Sequence, residues 1–306
     1  MKSFRQLFSP SSLACLFLLL LLFIFPAEVL TGAKSGLKLW FQIVLPTLLP
    51  FLITTNLCME LHIPELFPSF FYPVFTGLLS GYPVGAKACA DMLRTGRLSQ
   101  VQAQFYLSFC NNASPMFVLN YLLLQSLSIK SSLWLPLLLF YGSTFFSGGL
   151  FYLFHCNALK SKKINPKGFI NSLSTDAKAN TSFFPALDTS IMTGFIIITK
   201  IGGYILLFSI LASLISAFLP IAPVAKGVLI GFLEITTGIR YLTELSLPKS
   251  LLSTLTLALT TFGGFSSAAQ TNSVISGSGL SIWTYLKYKA LAAIICTGLC
   301  ILVYFF

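Results

Sequence analysis

Charged residues are scarce in this chain. Only 9% of its 306 residues are charged, and Asp and Glu together number eight, whereas soluble domains carry roughly 25% charged residues. Hydrophobic residues make up 56% of the chain, and the mean hydropathy is +0.86. An ordinary soluble domain is therefore excluded. The long apolar runs predict an all-α, polytopic membrane helix bundle embedded in a lipid bilayer.

The patterns of enzymes and of metal sites are missing as well. The chain contains no G-x-S-x-G, H-E-x-x-H or phosphate-loop motif, and it has only two histidines. Its seven cysteines form neither a CxxC pair nor a cluster with histidine. The net charge of +11 comes without a basic stripe on a soluble face, so nucleic acid is not an expected partner. We expect no enzyme, no metal and no cofactor.

The basic residues help to divide the chain. Lys2 and Arg5 precede an apolar run, which we interpret as a retained transmembrane helix rather than a cleaved signal peptide. A lysine-rich linker, residues 156–182, is expected in the cytoplasm by the positive-inside rule. The predicted organisation is a first helix in 1–34, a first repeat in 35–155, the linker in 156–182 and a second repeat in 183–306.

The span from Leu37 to Leu61 contains two prolines one helical turn apart, Pro46 and Pro50. Each proline removes a backbone donor and bends a helix. Two interpretations stay open, a bent packing helix and a hinge beside a functional site.

The stretch from Ser80 to Pro115 interrupts the apolar runs with glycines, prolines, ions and two adjacent asparagines. Non-helical backbone at membrane depth is tolerated only where protein buries it or where it lines a wet cavity. Pro83 disfavours helix at Tyr82, which predicts a re-entrant tip. A short polar helix, Lys87 to Leu98, should follow, and a second break is predicted at Cys110 to Pro115.

The two halves of the chain resemble each other. When the chain is shifted on itself, residues 108–114 fall on 261–267 and residues 77–80 fall on 231–234, and broken stretches follow in the same order. The first repeat ends at the cytoplasmic linker and the second begins there, so they should enter the membrane from opposite sides. Inverted repeats with discontinuous helices are typical of transporters, whose site lies at the repeat interface near the midplane.

Four ordered motifs carry a resemblance to a known family: SGYPVGAK (80–87), FCNNASP (109–115), GFLEITTGI (231–239) and FGGFSSAAQT (262–271). They resemble the YlbJ-type sporulation integral membrane proteins, a group of the nucleoside-recognition (Gate) domain superfamily that is similar to concentrative nucleoside transporters. The resemblance covers nearly the whole chain beyond the first helix. It implies a role in endospore formation and the movement of dipicolinate, a small aromatic dianion, from the mother cell towards the forespore.

The interruptions are expected to meet near the midplane. Half-helix ends supply free N–H groups and favour anions, and hydroxyl and amide side chains add hydrogen bonds without fixed charge. The alternative, that these groups merely satisfy one another between packed helices, stays open. The candidate substrate-binding residues are Ser80, Gly81, Tyr82, Gly85, Lys87, Asn111, Asn112, Ser114, Gly263, Gly264, Ser266, Ser267, Gln270 and Thr271.

Ionisable residues within apolar runs are functional hypotheses by default. Glu234 and Lys200 are the candidates for ion coupling, with a proton or sodium as the coupling ion. For Glu234 the competing interpretation is an internal ion pair with Lys200 or Arg240. For Lys87 the competing interpretation is a cation that snorkels to the interface.

These observations predict an alternating-access transporter for a small anionic or nucleoside-like solute. The alternative is a non-transporting scaffold for spore-envelope assembly, for which the basic linker is a short docking surface. The resemblance implies the mother-cell-derived membrane around the forespore as the location. The sequence leaves open whether the chain forms a homo-oligomer.

Overall fold

The computed structural model describes residues 10–129, 132–161 and 182–306, and every regular element in these ranges is a helix. The predicted all-α membrane helix bundle is confirmed, whereas most of the predicted linker lies outside the described residues. Two π-helices (Trp40–Val44 and Phe117–Ser126) and a 3₁₀ turn (Ile63–Leu66) supplement the α-helices. The α-helices are α1 Pro10–Ile24, α2 Pro26–Leu39, α3 Leu45–Glu60, α4 Phe71–Ser80, α5 Val84–Arg94, α6 Gln100–Cys110, α7 Trp134–Ser161, α8 Phe183–Phe218, α9 Pro223–Leu233, α10 Ile235–Thr243, α11 Lys249–Phe262, α12 Gly264–Ile275 and α13 Ile282–Tyr304.

Five helical segments of the described chain are long and apolar enough to cross a bilayer. Large apolar side chains are exposed along several of them, as lipid-facing surfaces require. The chain is therefore an integral, multi-pass membrane protein. The five segments are Pro26–Glu60, Trp134–His155, Phe183–Phe218, Lys249–Ile275 and Ile282–Tyr304.

Two short helical hairpins occupy corresponding places in the two halves. Hairpin 1 is α4 with α5, joined by a tip at residues 81–83, and hairpin 2 is α9 with α10, joined at Glu234. Each hairpin closes on a glycine pair, because a Cβ at Gly85 would lie 2.6 Å from the Cα of Gly77, and one at Gly238 would lie 2.2 Å from the Cα of Gly231. Only glycine permits the two arms to approach so closely.

Each hairpin is followed by a helix that breaks in its middle. In the first half, α6 stops at Cys110, and four non-helical residues precede the next helical turn at Pro115. In the second half, α11 and α12 meet at Gly263, whose φ of 91° is readily adopted by glycine. The predicted breaks are confirmed, and the order of long helix, hairpin, broken helix and long helix occurs twice.

The first long helix differs from its prediction, because it begins at Pro26 rather than near Leu37. Its amino-terminal part packs on α8 through two glycines. A Cβ at Gly32 would lie 2.7 Å from the Cα of Ile210, and one at Gly36 would lie 3.0 Å from the Cβ of Ser209. This contact stabilises helix between the predicted first helix and the predicted span, and the expected boundary at residue 34 falls inside the helix.

Candidate functional site

A central cavity lies where the two hairpin tips and the two helix breaks converge. Its volume is about 60 Å³, below the roughly 300–1,000 Å³ of typical small-molecule sites, so a solute of that size would require its walls to move apart. One wall is apolar and comes from the Trp40–Val44 π-helix, α3 and α8. The other wall is polar and comprises Tyr82, Ser114, Glu234, Thr236, Gly263, Ser266, Ser267 and Gln270.

The tip of hairpin 1 is bound to the first helix break. The Tyr82 amide donates to the Asn112 carbonyl at 2.7 Å. Gly81 has a φ of 77°, and a Cβ there would lie 2.6 Å from the Ser114 amide nitrogen. Glycine is therefore required at this position for both conformation and space. This contact presents the Tyr82 ring and Ser114 to the cavity.

Asn111 links the first break to three other helices. Its Oδ1 accepts from the Ala86 amide of α5 at 3.1 Å, and its Nδ2 donates to the Thr271 hydroxyl of α12 at 3.0 Å. Its carbonyl accepts from the Tyr285 hydroxyl of α13 at 3.1 Å. Both functional groups of this fully buried side chain are satisfied, so Asn111 holds the two halves together rather than offering a free group to a solute.

Asn112 contacts a residue that the sequence interpretation had passed over. The Lys289 ammonium of α13 donates to the Asn112 Oδ1 at 2.8 Å, and Lys289 is fully buried. The sequence does contain a signal that Lys289 is buried. Lys289 lies four residues after Tyr285, on the same face of a 3.6-residue helix, whereas Lys287 lies on the exposed face.

The tip of hairpin 2 is held by its own carboxylate. Glu234 caps α10, accepting from the Thr236 amide and hydroxyl through Oε1 and from the Thr237 amide and hydroxyl through Oε2, at 2.7 to 3.1 Å. A carboxylate at a helix amino terminus is favoured by both hydrogen bonding and the helix dipole. Arg240 pairs instead with Glu244 at 3.3 Å. The competing interpretation of Glu234, an internal ion pair with Lys200 or Arg240, is therefore not what the described residues show.

The second break turns an uncapped helix end towards the cavity. No side chain caps α12, which begins directly after Gly263, so its first amides lack a side-chain acceptor. Ser266, Ser267 and Gln270 project from its first turns into the cavity, and the Gln270 amide donates to the Ser266 hydroxyl at 3.2 Å. This surface combines hydrogen-bonding groups with the positive end of a helix dipole.

The predicted site residues fall into three groups. Tyr82, Ser114, Glu234, Gly263, Ser266, Ser267 and Gln270 line the central cavity. A second group supports its walls without lining it and comprises Ser80, Gly81, Gly85, Asn111, Asn112, Gly264 and Thr271. Lys87 and Lys200 form the third group and lie elsewhere.

Neither predicted cation reaches the cavity. The Lys87 ammonium pairs with Asp91 at 2.7 Å, and Asp91 also accepts from Arg94 at 3.2 Å. Arg94 in turn donates to the Ser276 carbonyl at the carboxyl end of α12, where a cation is favourable. Lys200 is exposed on α8. Spacing along one helix could not show which of its faces is turned inward.

A second, polar space lies on the other side of hairpin 2. This vestibule has a volume of about 400 Å³ and lies between α2, α8 and α10. Its charged lining residues are Lys34, Lys38, Arg240 and Glu244. Thr236 lines the central cavity and Thr237 lines the vestibule, so the Glu234 cap lies at the partition between the two spaces.

The apolar wall of the cavity includes part of the span that contains Pro46 and Pro50. Ile43, Val44 and Thr47 line the cavity around Pro46, so the irregular part of this long helix lies beside the candidate site. The helix continues through both prolines to Glu60.

The chain is similar to a sporulation protein. It is 32% identical over 108 residues to the sporulation integral membrane protein YlbJ of Bacillus subtilis (strain 168), and the alignment covers 30% of this chain and 26% of that protein. The aligned part is thus about a quarter of the relative's length. No family model matches the chain, and no solved structure matches it significantly. The wider likeness to nucleoside-recognition proteins and nucleoside transporters stays a prediction.

Proposed function

We propose that this protein is a membrane transporter that carries a small anionic organic solute by alternating access at the interface of its two repeats. The observation that carries the proposal is the central cavity, at which two hairpin tips and two helix breaks converge. Interrupted helices at membrane depth expose backbone groups, and this is compatible with a bilayer only around a protein-enclosed or wet site.

The chemistry of the polar wall favours a solute with acceptor groups. Ser266, Ser267 and Gln270 surround the uncapped start of α12, where negative charge is stabilised by amide groups and by the helix dipole. The Glu234 carboxylate in the same wall accepts four hydrogen bonds from α10. The apolar wall around Val44 suits the flat face of an aromatic ring.

The similarity to a sporulation membrane protein supports a role in endospore formation. Together with the motif resemblance, it makes dipicolinate the first solute to examine and the mother-cell-derived membrane around the forespore the proposed location. The proposal includes no chemical step and no cofactor. Glu234 is the proposed group for coupling to a proton or sodium, because it is the buried carboxylate at the partition between cavity and vestibule.

Transport is tested with the purified protein in liposomes by measuring uptake of labelled dipicolinate, with uridine as a second solute. Gln270→Ala removes a cavity-lining amide, and Gln125→Ala removes an exposed amide from the Phe117–Ser126 π-helix. Loss of one hydrogen bond to a charged solute should weaken binding about tenfold or more. We expect saturable dipicolinate uptake whose KM rises in Gln270→Ala and is unchanged in Gln125→Ala.

Other outcomes separate the alternatives. Uptake of uridine but not of dipicolinate would retain the transporter and contradict the anionic solute. If protein shown to be folded takes up neither solute, the transporter proposal fails and a scaffold in spore-envelope assembly becomes the better explanation. Imposed proton and sodium gradients in the same vesicles identify the coupling ion.

A further inference from the structure

Lys289 is a cation in an unusual place. It lies within the last membrane-spanning helix, α13, and none of its surface is exposed. A charged side chain inside a membrane domain is costly and ordinarily marks a solute or ion pathway. Two residues earlier, Lys287 points outward from the same helix, so the buried position is particular to Lys289.

No carboxylate is placed to neutralise it. The helices that pack most closely against α13 are α6, α7, α11 and α12, and their sequences contain neither Asp nor Glu. The ion pairs of the described residues involve Lys87, Arg94 and Arg240 instead. The hydrogen-bond partner of the Lys289 ammonium is a neutral amide oxygen, that of Asn112. A positive charge on Lys289 therefore has no carboxylate partner in the described part of the chain, and the titratable group that interacts with it is the Cys296 thiol of the same helix.

The ammonium lies one layer behind the cavity wall. Asn112 accepts a hydrogen bond from the Lys289 ammonium through its side-chain oxygen and one from the Tyr82 amide through its backbone carbonyl. The residues that follow it, Ala113 and Ser114, line the cavity. A positive charge here acts on the cavity through protein rather than through water, so it is screened little.

The cavity needs such a charge if it is to accept an anion. Glu234 lines it, 4% exposed, and its carboxylate would repel an anionic solute at short range. The described lining of the cavity includes no lysine or arginine. Lys289 is the buried cation connected to this lining. Its ammonium donates a hydrogen bond to Asn112, which lies two residues before the cavity-lining Ser114.

We infer that Lys289 is the internal counter-charge of the central cavity, and that it makes the cavity selective for anionic over neutral solutes of the same shape. This inference rests on the proposed transport function and assigns the solute's charge to a particular residue. The hydrogen bond to Asn112 fixes the position of the ammonium behind the wall. The positive charge itself acts on the solute through space.

The test compares two probes of equal shape, an aromatic dicarboxylate such as dipicolinate and its uncharged diamide. Both are measured on each reconstituted variant, as uptake or as inhibition of uptake, and the ratio of the two affinities is the readout. Because both probes meet the same protein sample, a lower folded fraction cancels from this ratio. Lys289→Gln retains a donor for Asn112 without the charge, Lys289→Met removes both, and Lys287→Gln removes an exposed charge from the same helix.

We expect the preference for the dianion over the diamide to fall about tenfold or more in Lys289→Gln and Lys289→Met and to be unchanged in Lys287→Gln. An unchanged ratio in Lys289→Gln, with weaker binding of both probes in Lys289→Met, would reduce Lys289 to a positioning residue for Asn112 and overturn the inference while leaving transport intact. Failure of the wild-type protein to bind either probe would overturn the proposed function, and this inference with it.

Discussion

Replacing Gly238 by alanine examines the tight closure of hairpin 2, on which the shape of the cavity depends. An added Cβ would lie 2.2 Å from the Cα of Gly231 and 2.4 Å from its nitrogen. Both atoms belong to the backbone, so neither can rotate away, and the two arms must separate. Overpacking of this kind costs about 1–3 kcal/mol, occasionally more. Helix propensity acts in the opposite direction, because alanine is favoured over glycine within a helix by about 1 kcal/mol.

Gly203→Ala is the matched control. Gly203 also lies within a helix, α8, but a Cβ there would meet no atom within 4 Å. Both variants gain the same helix propensity, so the difference between them isolates the clash. We expect Gly203→Ala to be neutral or slightly stabilising, and Gly238→Ala to have a free energy of unfolding lower than that of the control by about 1–3 kcal/mol.

The assay follows from the buried thiols. Cys89, Cys110, Cys296 and Cys300 are buried and free, so a thiol-reactive dye reports their exposure as the detergent-solubilised protein is heated. Each variant is compared with the wild-type protein in the same detergent. If Gly238→Ala and Gly203→Ala unfold at the same temperature, hairpin 2 does not close on its glycines. The cavity wall that depends on this closure is then wrong.

Two further predictions concern charges around the second hairpin. Glu234→Ala removes the cap of α10 and should lower the free energy of unfolding by about 1–2 kcal/mol. The control Glu60→Ala, at an exposed helix end, should change it little. If the two variants are equally stable in thermal unfolding, the capping role of Glu234 is contradicted. Lys34→Gln combined with Lys38→Gln removes two exposed vestibule cations. The KM for an anionic solute should then rise several-fold at low ionic strength, with the maximal rate unchanged and the effect diminished by salt, whereas Lys249→Gln should leave KM unaltered.

The interruptions of the helices could be predicted from the sequence because proline, glycine and asparagine act locally. Pro83 restricts its neighbour whatever surrounds it, and Gly263 can adopt its positive φ without a steric penalty. The two breaks, the two hairpins and most of the polar cavity wall follow from such local rules. The start of the first long helix does not, because its helicity depends on the contact of Gly32 with α8, which is distant in sequence.

The environments of the charged residues could not be predicted from such local rules. Lys87, Lys200 and Lys289 all lie within or beside apolar runs, and composition alone treats them alike. Their environments differ because each helix turns a different face inward: Lys87 meets Asp91, Lys200 is exposed, and Lys289 meets Asn112. The buried positions of α13 would have separated Lys289 from Lys287, since only Lys289 shares the face of Tyr285 and Cys296. The side on which neighbouring helices pack is long-range information.

The two hairpin tips are attached in different ways, and this difference matters for the proposed alternating access. The tip of hairpin 1 is tied to another element, since its Tyr82 and Ala86 amides donate to Asn112 and Asn111 of the first break. The tip of hairpin 2 is tied mainly to itself, because Glu234 and the groups that it binds move together. Its side-chain hydrogen bond to the other half is from the Tyr121 hydroxyl to the Thr236 carbonyl. Movement of hairpin 1 would thus break buried hydrogen bonds at both asparagines, whereas hairpin 2 can be displaced with its cap intact. Since hairpin 2 also separates the cavity from the vestibule, its displacement would join them with fewer of these hydrogen bonds broken.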